Sequence, residues 1–206
     1  MNVTVILIFF TIIVSVIAWK RMDLFDKMRF KAPEIIYNKE YHRLFTYGFL
    51  HGDWAHLFIN MFVLWMFGGL IEDRYVYWWG VEGRTLFLFF YLTAIVVSTL
   101  PDLKKHKDDC HYSAVGASGA VSAMVFAFIL IHPLRKINIF FIPLGIPAFV
   151  FGILYLIYST YMSKKQIDNI GHNAHFWGGV YGFFFTIPFK WKLIVAFFVQ
   201  IFQIFQ

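Results

Sequence analysis

Six stretches free of Asp, Glu, Lys and Arg alternate with short charged clusters along the chain: residues 2–19, 54–71, 85–101, 110–134, 137–163 and 169–189. Most reach the roughly 17–25 residues a helix needs to cross a bilayer core. In lipid a helix satisfies its backbone N–H and C=O groups within its own segment, so helices are the economical way across. The pattern predicts spans at about 2–19, 54–72, 85–101, 115–132, 140–162 and 172–189, and the whole of 1–206 reads as a single all-α, polytopic membrane domain. The first run lacks a basic leader and a small-x-small cleavage site, and Lys20-Arg21 follow at once. It reads as an uncleaved first span, not a secretion signal.

Two segments do not fit the alternation. Residues 21–53 mix bases, acids and aromatics with one Pro and two Gly, the texture of a folded connection lying at the membrane interface. The tail 191–206 is apolar, but a helix of that length reaches only about 24 Å, short of a ~30 Å core. Gln200, Gln203 and Gln206 recur every third residue. An amphipathic or interfacial helix is expected there.

Composition agrees with the pattern. Hydrophobic residues make up 60% of the chain and charged ones 15%, against roughly a quarter charged in a soluble domain. The net charge of +6 comes from bases flanking apolar runs, which makes anionic membrane lipids the partner and argues against nucleic acid. Cys110 is the single cysteine, so no internal disulfide can form.

Polar groups inside spans are expensive, and each raises a question of function. His56 and Asn60 are spaced i, i+4 and share one helix face. The run Gly116-Ala117-Ser118-Gly119 sets a serine among small residues, and His175 precedes the small-residue face Gly178-x3-Gly182. Taken singly, each fits interhelical glue or close helix packing. Together they are the parts of an acyl-transfer site. A serine hydroxyl needs a base before it can attack an amide, and the resulting oxyanion needs preorganised donors. Ser118 supplies the nucleophile, His175 the base, and His56 with Asn60 two side-chain donors. No Asp or Glu lies within the uncharged runs or beside His175 in sequence, which favours a dyad.

The ordered series His51-x4-His56-x3-Asn60, Gly116-Ala117-Ser118-Gly119 and Ala174-His175-x2-Gly178-x3-Gly182 resembles the rhomboid intramembrane serine proteases in their minimal six-span bacterial form. Arg43-x2-Thr46 leading into Phe49-Leu50-His51, and Gly68-Gly69-x2-Glu72, match as well, so the resemblance runs from about Arg43 to Gly182. It implies a six-helix rhomboid-like bundle with an interface-lying first loop anchored by Arg43. It implies that Ser118 is the nucleophile at the start of a short, submerged fourth helix, and that His175 is general base and then acid. His56, Asn60 and the Ser118 backbone N–H would form the oxyanion hole, with Gly116, Gly119, Gly178, Gly182 and His51 in support. Substrates would be transmembrane proteins, cut near a small residue through an acyl-enzyme, and no metal or other cofactor is implied.

The chain departs from the family pattern twice. Many members carry, four residues after the serine, an aromatic that stacks on the histidine; here that residue is Ser122. The tryptophan that commonly precedes the loop-one arginine is His42. His51 is given only a supporting role, and His111, His132 and His172 read as interfacial or loop residues.

The family's catalytic face lies outside the cytoplasm, which here implies a bacterial inner membrane. Charge counting points the other way, since loops one, three and five carry 12 Lys/Arg and the opposite face 6. The acids Asp23, Asp26, Glu34, Glu40 and Asp53 among loop one's bases favour the family's orientation. Three rival functions compete with this reading. A zinc protease lacks His-Glu-x-x-His, and a transporter lacks an intramembrane carboxylate and two-half symmetry. The principal alternative is a catalytically silent rhomboid-like protein that binds membrane clients, which would be expected to have lost Ser118 or His175.

Overall fold

The computed structural model describes residues 2–139, 142–165 and 171–203. Six helical segments lie over the six apolar runs. The first is α1 (Val3–Lys20), followed by the short loop-one helices α2 (Met22–Met28), α3 (Ala32–Ile36) and α4 (Arg43–Thr46). Next come α5 (Trp54–Val63) and α6 (Gly69–Trp79), joined through a π-helical turn at Leu64–Gly68, and then α7 (Val81–Lys105). The remaining helices are α8 (Ser118–Ile131), α9 (Ala148–Lys165), α10 (His172–Phe185) and α11 (Lys192–Phe202). Among the described residues, Val3–Lys20, Trp54–Trp79 and Val81–Lys105 are each long and apolar enough to cross a membrane; 172–189 with 192–202 would be a fourth if that pair, bent by 117°, is one span. The protein is an integral, multi-pass membrane protein built as an all-α bundle.

α8 occupies the centre. Every residue from Gly119 to Ile131 is buried, as expected for a helix that is apolar on all sides. Its 14 residues make about 21 Å of helix, shorter than a bilayer core. α7 and α10 pack closely on α8, and α9 lies beside α10. Gly80, at φ +63°, makes the tight turn between α6 and α7.

Glu72 ties α1 to α6. Its carboxylate accepts from the Val3 N–H (2.7 Å), the Thr4 N–H (2.8 Å) and the Thr4 hydroxyl (2.7 Å). These are amides that the first turn of α1 cannot satisfy internally, and the positive end of the helix favours the charge.

Loop one is folded by the same logic at a C-terminus. Arg43 Nη1 donates to Asp26 O (2.6 Å) and Arg29 O (2.9 Å), and Thr46 Oγ1 donates to Met28 O (2.7 Å). His42 Nε2 lies 3.0 Å from Lys27 O, so the residue that replaces the tryptophan takes part in the anchor. Four successive carbonyls at the end of α2 thus find donors from α4 and its N-cap, where cations are also favoured.

Two boundaries differ from expectation. The helix expected to begin near 140 begins at Ala148, and an antiparallel hairpin of β1 (Lys136–Ile139) and β2 (Ile142–Pro147) precedes it. Pro143 and Pro147 lack the N–H a helix interior needs, while β-branched isoleucines favour the strands. The third apolar run ends at Pro101 in sequence, yet α7 continues to Lys105 and buries Asp102. At the C-terminal end, α11 buries Phe197, whose ring meets Phe183 edge-on at 5.1 Å. Gln206 of the glutamine stripe lies outside the described residues.

Candidate functional site

The two small-residue faces meet. A Cβ on Gly178 would lie 2.1 Å from Gly119 O, and one on Gly182 would lie 2.1 Å from Ala123 O. Both contacts step by four residues in the same direction (119 to 123, 178 to 182), so α8 and α10 run parallel in van der Waals contact. Their N-terminal ends therefore coincide. Ser118 opens α8 immediately before Gly119, and His175 sits one turn before Gly178. Ser118 and His175 are each half-buried.

The chain entering α8 is held from several sides. Gly116 adopts φ +119°, a left-handed backbone region, and donates its N–H to Tyr47 O at 3.0 Å. A Cβ on Gly116 would lie 2.7 Å from Cε1 and 2.8 Å from Nε2 of His56, so only glycine lets that imidazole approach the segment leading to Ser118. Just upstream, Phe30 and Ala114 exchange backbone hydrogen bonds at 3.0 and 3.2 Å. The loop anchored by Arg43 therefore also props the segment carrying Ser118. α8 itself begins without a side-chain cap, leaving the first amides of its N-terminus without intrahelical partners.

His56 and Asn60 are one turn apart on α5. Asp53 caps that helix by accepting the His56 N–H at 2.8 Å. Asn60 is buried and donates one amide hydrogen to His56 O at 2.9 Å, leaving its second hydrogen for another acceptor. His51 is fully buried. Its Nδ1 lies 3.1 Å from Ser15 Oγ, its Nε2 accepts a long 3.5 Å bond from the Ala117 N–H, and its carbonyl accepts from Trp19 Nε1 at 2.7 Å. Nε2 acts as acceptor, so the ring proton belongs on Nδ1, facing Ser15, whose hydroxyl donates to Phe49 O. His51 thus links α1, loop one and the residue before Ser118, with its ring edge-on to His56 at 4.9 Å.

Three groups escaped the sequence reading. His172, expected at an interface or in a loop, is buried, with its ring 5.6 Å from Tyr158 and 5.7 Å from His175, edge-on in each case. Asp102 is a buried carboxylate, and Asn173, two residues before His175, donates to it at 2.6 Å. Tyr155 of α9 lies near-parallel to the His175 ring, at 6.2 Å and 25°, with its hydroxyl 2.6 Å from Ser122 Oγ. His111 is exposed in the loop before α8, and His132, at the far end of α8, lies 3.2 Å from Arg74. Among the described residues no group of three or more His, Cys, Asp or Glu could hold a metal ion.

A profile of the Rhomboid domain matches residues 38–192. The chain belongs to the rhomboid family. RHOMBOID-like protein 12, a mitochondrial protein of Arabidopsis thaliana, is 30% identical over 147 residues, covering 66% of this chain and 43% of that protein. Rhomboid protease GluP of Bacillus subtilis (strain 168) is 30% identical over 156 residues, 76% of this chain and 27% of that one. The chain spans less than half the length of either relative. The rhomboid profile begins five residues before Arg43 and runs past α10, so it encloses every candidate site residue from Arg43 to Gly182.

Proposed function

We propose that this rhomboid is an intramembrane serine endopeptidase that cleaves transmembrane-helix substrates through Ser118 and His175. The observation that carries this reading is the parallel glycine contact of α8 and α10, which brings the serine and histidine ends of two helices together. Similarity to a protein named as a rhomboid protease supports it.

In this mechanism His175 takes the Ser118 proton as Oγ attacks the scissile carbonyl. The oxygen of the tetrahedral intermediate takes up the charge, and donors from His56, Asn60 and the Ser118 N–H stabilise it. Collapse breaks the C–N bond, His175 hands its proton to the departing amine, and an ester to Ser118 remains. Water, deprotonated by His175, attacks that ester; the acid product leaves, and the proton returns to Ser118. A helical amide is shielded by its own hydrogen bonds, so the substrate unwinds locally before attack. Because α8 is shorter than a bilayer core, Ser118 sits below the surface, with loop one lying at the interface above it. We place the catalytic face on the extracytoplasmic side of a bacterial inner membrane, with six crossings. Three loop-one arginines (Arg21, Arg29 and Arg43) are ion-paired with Asp23, Asp26 and Glu40, which fits a folded, exported loop.

The test is covalent labelling of the purified protein by a fluorophosphonate probe, with Ser118→Ala and His175→Ala in parallel. Labelling in the wild type and its loss in both variants is expected. A folded wild type that neither labels nor cuts a generic transmembrane substrate would instead favour client binding without catalysis.

A further inference from the structure

Ser122 stands where many rhomboids carry the aromatic that faces the histidine, and Tyr155 on a different helix fills the space beside His175. We infer that Ser122 and Tyr155 form a two-residue positioning device for His175, with the ring supplied by α9 and the hydroxyl latch by α8. This inference rests on the proposed role of His175.

The geometry argues for it step by step. Ser118 and Ser122 are i, i+4 on α8 and share a face, so Ser122 lies about one turn, roughly 6 Å, deeper than the nucleophile. Its hydroxyl is 2.6 Å from the Tyr155 hydroxyl, a short bond between a buried serine and a half-buried tyrosine. That bond fixes the tip of Tyr155 against the helix that carries Ser118. The Tyr155 ring then runs beside His175, and its 6.2 Å separation and 25° tilt are those of an offset stack. The ring is in turn braced by Phe126 of α8 at 5.7 Å and Phe151 of α9 at 5.9 Å. On another side His172 meets the imidazole edge-on at 5.7 Å. His175 therefore lies between a ring face and a ring edge, and the ring face is tied to the nucleophile's own helix.

This arrangement differs in kind from an aromatic placed directly on α8. There the ring and the serine would be rigidly linked. Here the histidine's alignment depends on α9 staying in register with α8, through the hydroxyl pair together with the Phe126 contact. A shift of α9 that broke the Ser122–Tyr155 bond would loosen His175 without disturbing Ser118. Misplacement of a catalytic group by about 1 Å can cost on the order of a hundredfold in rate.

The experiment measures fluorophosphonate inactivation of the full-length protein in detergent, separating the maximal rate (kinact) from the half-saturating probe concentration (KI). The variants are Tyr155→Leu, Tyr155→Phe, Ser122→Ala, Ser122→Ala with Tyr155→Phe, and the swap Ser122→Tyr with Tyr155→Ser. Tyr155→Leu is expected to lower kinact by roughly tenfold to a hundredfold with KI unchanged. Tyr155→Phe and Ser122→Ala should each lower it by a smaller, similar factor, and their double variant should be no worse than either single, because both remove one bond. The swap should recover part of the rate lost in Tyr155→Leu.

If Tyr155→Phe and Ser122→Ala combine multiplicatively, or Tyr155→Leu labels at the wild-type kinact, the device is refuted while the protease reading stands. A wild type that does not label overturns both. Should Tyr155→Leu fail to fold, the two hydroxyl-deleting variants and their double decide, since neither removes a ring or opens a large cavity.

Discussion

Arg43 shows how one side chain can organise a loop. It is 6% exposed, yet its charge is met by the Asp26 and Arg29 carbonyls and by Glu40 at 2.5 Å. Arg43→Ala leaves those carbonyls without a donor and should cost about 3 kcal/mol locally. Limited proteolysis between residues 22 and 46 is expected to accelerate on the order of a hundredfold, since cleavage follows the open population. Arg43→Lys should recover little, because a point-like ammonium cannot reproduce the guanidinium fork. Hydrogen bonding from Arg43 holds the Glu40 carboxyl below its ordinary range. A depressed carboxyl stabilises the fold above its ordinary pKa, and that contribution is lost as pH falls through the depressed value. The protection factors of the loop-one amides, referred to the intrinsic exchange rate at each pH, should therefore fall on acidification below the ordinary carboxylate range, and Glu40→Gln should flatten that part of the profile.

At the scale of elements, the parallel contact of α8 and α10 decides whether the candidate site exists. The sequence motif Gly178-x3-Gly182 announced a close face, and Gly116-Ala117-Ser118-Gly119 a second one. Such faces would let the two helices touch, and alternating spans make them parallel; where they meet, Gly178 on Gly119 and Gly182 on Ala123, is a matter of packing. Gly178→Val would drive methyl groups into the Gly119 carbonyl, with no flexible side chain to yield. Overpacking of this kind typically costs about 1–3 kcal/mol. A lower melting temperature in detergent and loss of probe labelling are expected together. Gly52→Ala is the control, since a Cβ there meets nothing within 4 Å, and it should leave both readouts unchanged. The hairpin before α9 makes the complementary point. Residues 137–163 are uncharged throughout, so charge alone could not show that strands occupy its first part; the prolines at 143 and 147 were the available signal.

At the scale of the molecule, α1 is clamped at both ends. Glu72 holds its N-terminus, while Ser15 and Trp19 near its C-terminus hold His51. Glu72 is 1% exposed, with Arg84 3.8 Å away. Glu72→Ala removes three hydrogen bonds to a buried carboxylate at once and should destabilise the protein by about 3–5 kcal/mol. Thermal unfolding in detergent should show a single, lower transition, with Glu72→Gln falling between the variant and wild type. A separate melting of α1 alone would show that its clamp is not coupled to the bundle.

The sequence by itself determined the membrane character, the helical class, the order of the apolar segments and the small set of polar residues worth asking about. Those features follow from local period, length and charge, which do not depend on partners. Tertiary structure alone decided that α8 and α10 meet at Gly119 and Gly178, that His56 faces Gly116, that Asp102 is buried against Asn173, and that Tyr155 lies against the His175 imidazole. Each of these joins residues far apart in the chain, by contacts of a few ångströms between different helices. Spacing along one helix carries no record of which neighbour its face will meet, so Tyr155, thirty-three residues beyond Ser122, became visible only when the helices were packed.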